Sequence, residues 1–92
     1  MKEAELKKNA RQIFKERKIF YLDVQGSPFT TVGAPDIIIV INGLFIGLEF
    51  KTYRGRQSQD QKNVQARIEA AGGYYFLPKS EKDVLDILDR FS

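Results

Sequence analysis

The sequence contains neither cysteine nor histidine in its 92 residues. Without cysteine there can be no disulfides, no thiolate zinc sites and no cysteine nucleophile. Without histidine the chain lacks the commonest general base, the Ser-His-Asp triad and zinc-finger ligands. Any catalysis by this chain is therefore expected to rest on carboxylates, lysine and tyrosine, with or without a metal ion that prefers oxygen ligands.

Long apolar segments are missing as well. The longest aliphatic run covers residues 37–41, whereas roughly 20 apolar residues are needed to cross a bilayer. The first residues alternate charge and alanine and form no apolar signal segment,. We therefore expect no membrane association and an intracellular, cytoplasmic location. The net charge of +3 is compatible with a polyanionic partner but does not identify one,.

No repeat or linker divides the chain, so we expect residues 1–92 to form one domain. Apolar periodicity and turn residues predict helices at 3–17, from Ser58 to the Gly72-Gly73 pair, and at 81–91,. They predict strands at 19–24, 36–41, 44–51 and 74–77, with a loop at 25–34,. A sheet this apolar needs cover on both faces. The predicted fold is α/β, a mixed central β-sheet flanked by helices in the order α-β-β-β-α-β-α.

The clearest local signal is the pair Asn42-Gly43 between two branched apolar runs, which predicts a type I′ hairpin turn,. A two-residue turn fixes the register, so that Asp36 stands opposite Glu49. Their Cβ atoms would then lie roughly 5 Å apart on one face. Lys51, two residues beyond Glu49, projects from that same face.

Two opposed carboxylates on an apolar hairpin require a counter-charge, which a hard divalent cation with oxygen ligands supplies. Such a site has the parts for phosphodiester hydrolysis. The metal polarises the phosphate and acidifies a water, and Lys51 orients or deprotonates that water or stabilises developing charge. Gly47, on the same face, would leave room for a backbone or a phosphate to approach.

A purely structural interpretation is also open. The spelling Glu-x-Lys recurs at 5–7 and 16–18, where we expect solvated helical charges. Asp36 could simply begin a strand after Pro35, and Lys51 could mark a strand that leaves the core. The placement of Glu49 on an apolar strand, opposite an aspartate, favours the functional interpretation.

Several motifs together resemble the virus-type replication-repair nuclease domain (VRR-NUC), a branch of the PD-(D/E)xK superfamily. They are Gly33-Ala34-Pro35-Asp36, Glu49-Phe50-Lys51, Ser58-Gln59-Asp60-Gln61 and Gly72-Gly73. The resemblance covers nearly the whole chain. It implies a restriction-endonuclease-like core and a Mg²⁺- or Mn²⁺-dependent deoxyribonuclease, an endonuclease acting in DNA repair on branched or structured DNA such as Holliday junctions or flaps. The small stand-alone format of the resembling family suggests a prokaryotic or phage-infected host.

The same resemblance implies roles for individual residues. Asp36 and Glu49 would be the metal carboxylates, with the main-chain carbonyl of Phe50 as a further ligand. Lys51 would be the catalytic lysine, and Gln61 the glutamine that supports the site. Ser58 and Gln61 also spell a capping box, in which the glutamine reaches back to the Ser58 amide, and both readings of Gln61 stay open.

The family also carries a glutamate in its first helix. Here Glu3 is the better candidate, because it shares one helical face with Leu6 and Ala10, whereas Glu5 points elsewhere. Arg54, Arg56 and Lys79 lie in loops beside the predicted site and are candidates for binding nucleic-acid phosphates. Tyr53 and Phe29 could stack on bases or simply pack.

Two other functions compete with a nuclease. One is a DNA-binding module that keeps the fold without catalysis, suggested by the basic loops. The other is an interaction protein whose apolar hairpin packs on a partner. Because a chain this small has no separate DNA-recognition domain, we also expect a homodimer that presents two active sites to a branched DNA.

Overall fold

The structure, a computed structural model, describes residues 2–24 and 31–92. These residues form three helices and four strands: α1 (Glu3–Glu16), β1 (Phe20–Asp23), β2 (Ile37–Ile41), β3 (Leu44–Leu48), α2 (Gln59–Ala70), β4 (Tyr74–Phe76) and α3 (Glu81–Phe91). The predicted order α-β-β-β-α-β-α is confirmed. No helix in this part of the chain is long and apolar enough to cross a membrane.

The strands are shorter than the sequence predicts. Asp36 lies just before β2, and Glu49 and Lys51 lie beyond β3. Of the predicted loop at 25–34, residues 31–34 belong to no helix or strand. Residues 25–30, which include Phe29, are outside the described residues.

The four strands form one mixed sheet in the order β1-β2-β3-β4. β1, β2 and β3 are antiparallel neighbours, and β4 pairs parallel to β3 after the crossover through α2. The hairpin register is the predicted one, with Ile41 opposite Leu44 and Ile38 opposite Gly47. Asn42 and Gly43 have φ values of 51° and 79°, the positive values that a type I′ turn requires.

One face of the sheet carries the core. α1 and α3 pack there, and the buried apolar side chains are Leu6, Ala10, Phe14, Ile37, Ile39, Ile46, Leu48, Phe50, Val84, Ile87 and Leu88. Alternate residues of β2 and β3 contribute to this cluster because successive side chains of a strand point to opposite faces. The N-terminal turn of α1 is thereby held close to the open end of the β2–β3 hairpin, where Asp36 and Glu49 lie.

The other face is only partly covered. α2 lies there with Val64 and Ile68 half-buried, and none of its residues is fully buried. The sequence left room above Gly47 for either a backbone or a phosphate, and another segment of the chain fills this space. A Cβ at that position would stand 3.1 Å from Cγ of Pro35 and 3.5 Å from the Tyr75 ring, so the glycine admits packing of the chain on itself.

Candidate active site

Asp36 is anchored by its main chain and its side chain at once. Its carbonyl oxygen accepts the N–H of Val24 at 2.9 Å, and its Oδ2 accepts the main-chain N–H of Phe50 at 2.9 Å. The carboxylate thus takes a ladder position that a main-chain carbonyl would fill in a longer hairpin, which explains why β2 begins only at Ile37. Asp36 is 5% exposed.

Glu49 and Lys51 are carried by the neighbouring strand pair. The N–H of Glu49 donates to the carbonyl of Phe76 at 3.0 Å, and that of Lys51 donates to the carbonyl of Pro78 at 3.2 Å. This extended backbone continues the alternation of β3, so Phe50 enters the core while Glu49 and Lys51 point away from it. Nζ of Lys51 lies 3.7 Å from Oε2 of Glu49, as expected for two side chains on one face.

Three carboxylates converge at this point. One oxygen from each of Glu3, Asp36 and Glu49 lies within 4.8 Å of the other two. Glu3 reaches the cluster from the first turn of α1, whereas Glu5 is exposed. The structure therefore brings together residues that are 46 positions apart in the sequence, Glu3 and Glu49, through the packing of α1 on the sheet.

The environment of Glu49 opposes its negative charge. Burial, and then the nearby carboxylate of Asp36, raise the pKa of Glu49 to about 8, while Lys51 acts in the opposite direction. Its Oε1 is buried and has no hydrogen-bond partner among the described residues. A buried carboxylate oxygen without a donor is costly. Three converging carboxylates, one of which has a buried oxygen without a hydrogen-bond partner, are suitable ligands for a hard divalent cation.

Tyr75 contributes the other unpartnered polar atom among the described buried side chains. Its ring lies beside Gly47, and its buried hydroxyl makes no geometrically acceptable hydrogen bond to the described residues. Burial raises the pKa of Tyr75 to about 12; the nearby Gln57 side chain opposes this rise, and the carboxylates of Glu49 and Asp36 add to it. The phenol is therefore neutral near pH 7 and serves as a donor or acceptor, not as an anion.

Lys7 also belongs to the cluster, although the sequence suggested a solvated helical charge. Its Nζ lies 3.3 Å from Oδ1 of Asp36 and 3.8 Å from Oε1 of Glu3, and its side chain is 21% exposed. The prediction was wrong because it considered only the Glu-x-Lys motif at 5–7, whereas Lys7 pairs with Glu3. Glu3 and Lys7 are four residues apart on one helix, a spacing at which side chains meet.

Gln61 is engaged at the start of α2. Its Oε1 accepts the N–H of Ser58 at 2.9 Å, and its own N–H donates to Oγ of Ser58 at 3.1 Å. Both halves of the capping box are therefore formed,. Gly33 packs against this turn, since a Cβ there would stand 2.5 Å from the carbonyl carbon of Asp60. A supporting role of Gln61 in the site stays a prediction.

A basic cleft of about 380 Å³ opens beside Lys51. Among the described residues, four cationic side chains and no carboxylate line it; the cationic residues are Lys51, Arg56, Lys62 and Lys79. Arg56 and Lys79 were expected here, whereas Lys62 was missed because it is one of many exposed helical lysines. Arg54 is exposed and does not line the cleft, and Tyr53 is 88% exposed in the same loop.

The overall architecture matches a known one. A solved structure described as a "VRR_NUC domain" superposes on this chain with a TM-score of 0.80, covering 98% of this chain and 97% of that chain at 20% sequence identity. The chain has the fold of a VRR_NUC domain. No protein-family model and no curated protein matches its sequence. The resemblance predicted from the motifs is thus confirmed for the fold.

Within this VRR_NUC fold, the site forms where β2 and β3 separate. α1 supplies Glu3, β2 leads into Asp36, and the β3–β4 pair carries Glu49 and Lys51. Three carboxylates that could hold a cation, an adjacent ammonium and a cationic cleft therefore lie on one side of the molecule. This set of groups can hold a dication and a phosphate next to each other.

Proposed function

We propose that this protein is a metal-dependent nuclease that hydrolyses phosphodiester bonds in DNA. The observation that carries the proposal is the convergence of Glu3, Asp36 and Glu49, with a buried and unpartnered Glu49 oxygen, beside Lys51. The VRR_NUC fold supports the same class of activity. We further propose Mg²⁺ or Mn²⁺ as the cation and branched or structured DNA, of the Holliday junction or flap type, as the substrate of an endonuclease.

Glu3, Asp36 and Glu49 would hold the cation, with the main-chain carbonyl of Phe50 as a further ligand. A divalent cation at these oxygens supplies Lewis acidity for the phosphate and lowers the pKa of a nearby water. Lys51 lies beside Glu49 and can orient that water, accept its proton or stabilise charge on the phosphate,. Gln61, through its cap at Ser58, would fix the turn that packs on Gly33.

The basic cleft gives this site a means of binding the substrate. Arg56, Lys62 and Lys79 line it together with Lys51, so phosphates bound there approach the carboxylate cluster. Phosphate contacts of this kind position a nucleic acid without reading its sequence. Arg54, exposed in the same loop, would add to the attraction from outside the cleft. The arrangement suits a nuclease that responds to the shape of DNA.

A homodimer would present two such sites to one branched substrate, allowing paired cuts. The exposed part of the sheet offers a surface for it. Phe20, Val40 and Phe45 are adjacent by register and are 58%, 36% and 40% exposed. Contiguous apolar side chains on a surface mark sites of association, and a two-fold dimer uses the same patch on both copies.

The proposal is tested by incubating labelled four-way junction, flap and plain duplex DNA with the protein in Mg²⁺, in Mn²⁺ and in EDTA. We expect metal-dependent cleavage that is strongest on branched substrates and that Lys51→Ala abolishes. Lys82→Ala, an exposed lysine on α3, should cleave like the wild type. Cleavage in EDTA, or full activity of Lys51→Ala, contradicts the proposed site.

Two outcomes separate the competing functions. A folded protein that binds these DNAs tightly and cuts none of them with either metal is a DNA-binding module. If calorimetric titration with Mn²⁺ gives no heat of binding for either the wild type or Asp36→Asn, the protein has no metal site. An interaction protein is then the better interpretation. A clear heat that disappears in Asp36→Asn supports the nuclease.

A further inference from the structure

Lys7 lies within the carboxylate cluster, although the proposed chemistry gives it no task. Oδ2 of Asp36 is occupied by the N–H of Phe50, and Nζ of Lys7 lies 3.3 Å from the remaining oxygen, Oδ1. The same ammonium is 3.8 Å from Oε1 of Glu3. Lys7 therefore contacts two of the three carboxylates that would bind a cation.

The second lysine of the site is placed differently. Nζ of Lys51 is 3.7 Å from Oε2 of Glu49, and the other oxygen of Glu49 stays unpartnered. A dication bound among the three carboxylates would stand within a few ångströms of the Lys7 ammonium. Like charges at that separation repel strongly in a partly buried site, where water screens them poorly. Metal binding and the present position of Lys7 are therefore in conflict.

We propose that Lys7 is a tethered counter-ion of the metal site, which neutralises Asp36 and Glu3 in the metal-free protein and is displaced when a divalent cation binds. The inference rests on the proposed function, since it takes these carboxylates as metal ligands. It gives Lys7 two effects of opposite sign. The ammonium stabilises the metal-free fold, and it weakens the binding of the metal.

The position of Lys7 on α1 allows this exchange without movement of the helix. Leu6 and Ala10 hold α1 on the sheet with 1% and 0% exposure, whereas the Lys7 side chain reaches solvent over 21% of its surface. A lysine has a flexible four-carbon stem that can carry its ammonium outward while the stem stays packed. The displacement needs only a change of side-chain rotamer.

The test is calorimetric titration of the protein with Mn²⁺ in the absence of DNA, at about pH 8.5, above the raised pKa of Glu49,. We expect Lys7→Met to bind Mn²⁺ at least about fivefold more tightly than the wild type, because a competing positive charge is gone. Lys7→Arg keeps the charge and should stay within about threefold of the wild type. Lys8→Met removes one charge from an exposed neighbouring position and should change the affinity by less than about twofold.

Thermal unfolding supplies a second readout that does not involve catalysis. Lys7→Met should melt at a lower temperature than the wild type in EDTA, and the difference should shrink or reverse in saturating Mn²⁺. Equal or weaker Mn²⁺ affinity of Lys7→Met overturns the inference, as does a Lys7→Arg protein that behaves like Lys7→Met. If the wild type binds no Mn²⁺ at all, the proposed function itself fails. Normal wild-type binding that Lys7→Met leaves unchanged rejects only the role of Lys7.

Discussion

The main-chain N–H of Phe50 donates to Oδ2 of Asp36 at 2.9 Å, so the aspartate is tied to the segment that carries Glu49. This bond spans the open end of the hairpin and keeps two carboxylates together that would otherwise repel each other. It is charge-assisted, and hydrogen bonds to charged groups are the stronger ones. The backbone thus holds the carboxyl group of Glu49 beside Asp36, and burial together with the Asp36 carboxylate raises the pKa of Glu49.

The raised pKa of Glu49 predicts how the stability of the metal-free protein depends on pH. With a pKa of about 8 against an ordinary 4.5, folded Glu49 keeps a proton that the unfolded chain releases between these values. The folded state then binds more protons, so its stability falls as the pH rises through this window. In EDTA we expect the melting temperature to fall by at least about 5 °C between about pH 5.5 and about pH 8.5.

Glu49→Gln isolates this effect, because glutamine has the same shape and no charge to lose. The variant should melt like the wild type near the acidic end and above it near the alkaline end. Glu5→Gln removes an exposed carboxylate from α1 and should keep the slope of the wild type. If the melting curves of Glu49→Gln follow the wild type at every pH, Glu49 is not the group responsible.

The hairpin could be predicted because its determinants are local. Asn42 and Gly43 take positive φ values at little strain,, and a two-residue turn leaves one register. The opposition of Asp36 and Glu49 follows from that register alone. Their clustering with Glu3 depends on how α1 packs on the sheet. The apolar side chains of α1 show which face of the helix is buried, but they do not show where along the sheet the helix lies.

Lys7 and Gly47 show what local patterns do not determine. Lys7 follows the core residue Leu6, and its sequence context alone does not show whether its side chain is solvated or paired. That depends on which residue lies opposite α1, here Asp36. Likewise, a glycine in a strand indicates that another group packs closely against the backbone, but it does not show which group that is. Here Pro35 of the same chain fills the space above Gly47. Both contacts join segments far apart in sequence, and they depend on tertiary packing.

Gly33 is predicted to tolerate no side chain, since it has a φ of 88° and lies against the main chain of α2. Gly33→Ala should lower the free energy of unfolding by at least about 2 kcal/mol, through left-handed strain and a backbone clash. Gly72 is a matched control, with a φ of 92° and open space around a Cβ. Gly72→Ala should lose only the strain, about 1 kcal/mol.

Urea denaturation measures both variants against the wild type, with the midpoint as the readout at a constant slope. A Gly33→Ala protein no less stable than Gly72→Ala would show that the contact with Asp60 relaxes easily. It would also weaken the view that Gly33 packs tightly against the start of α2.

The proposed homodimer predicts a concentration-dependent sedimentation coefficient that responds to the exposed face of the sheet. Phe20→Ser removes the most exposed aromatic side chain of that face and should shift the protein toward monomer, because apolar area lost from a symmetric interface counts twice. Tyr53→Ser, at 88% exposure in the loop after β3, should leave the distribution unchanged. A wild type that is monomeric throughout removes the paired cuts and leaves the nuclease in place.

Lys62 is predicted to bind DNA through the basic cleft, although the sequence offers no sign of it. It lies on the cleft wall together with Lys51, Arg56 and Lys79, and a phosphate bound there would lose its counter-ions. In EDTA, where no cleavage is expected, Lys62→Ala should weaken binding to a branched DNA by about threefold to tenfold at low salt. The salt dependence of its affinity should fall by about one unit of slope.

Lys15→Ala is the control that separates a site from a diffuse charge effect. Lys15 is exposed in the last turn of α1, roughly 18 Å along that helix from Glu3 by the rise per residue, and its loss lowers the net charge by the same amount. At 0.1 M salt the screening length is about 10 Å, so this distant charge contributes little to phosphates held in the cleft. Equal losses of affinity in Lys62→Ala and Lys15→Ala would mean that DNA binds by overall charge, and the cleft would then have no part in positioning the phosphate beside Lys51.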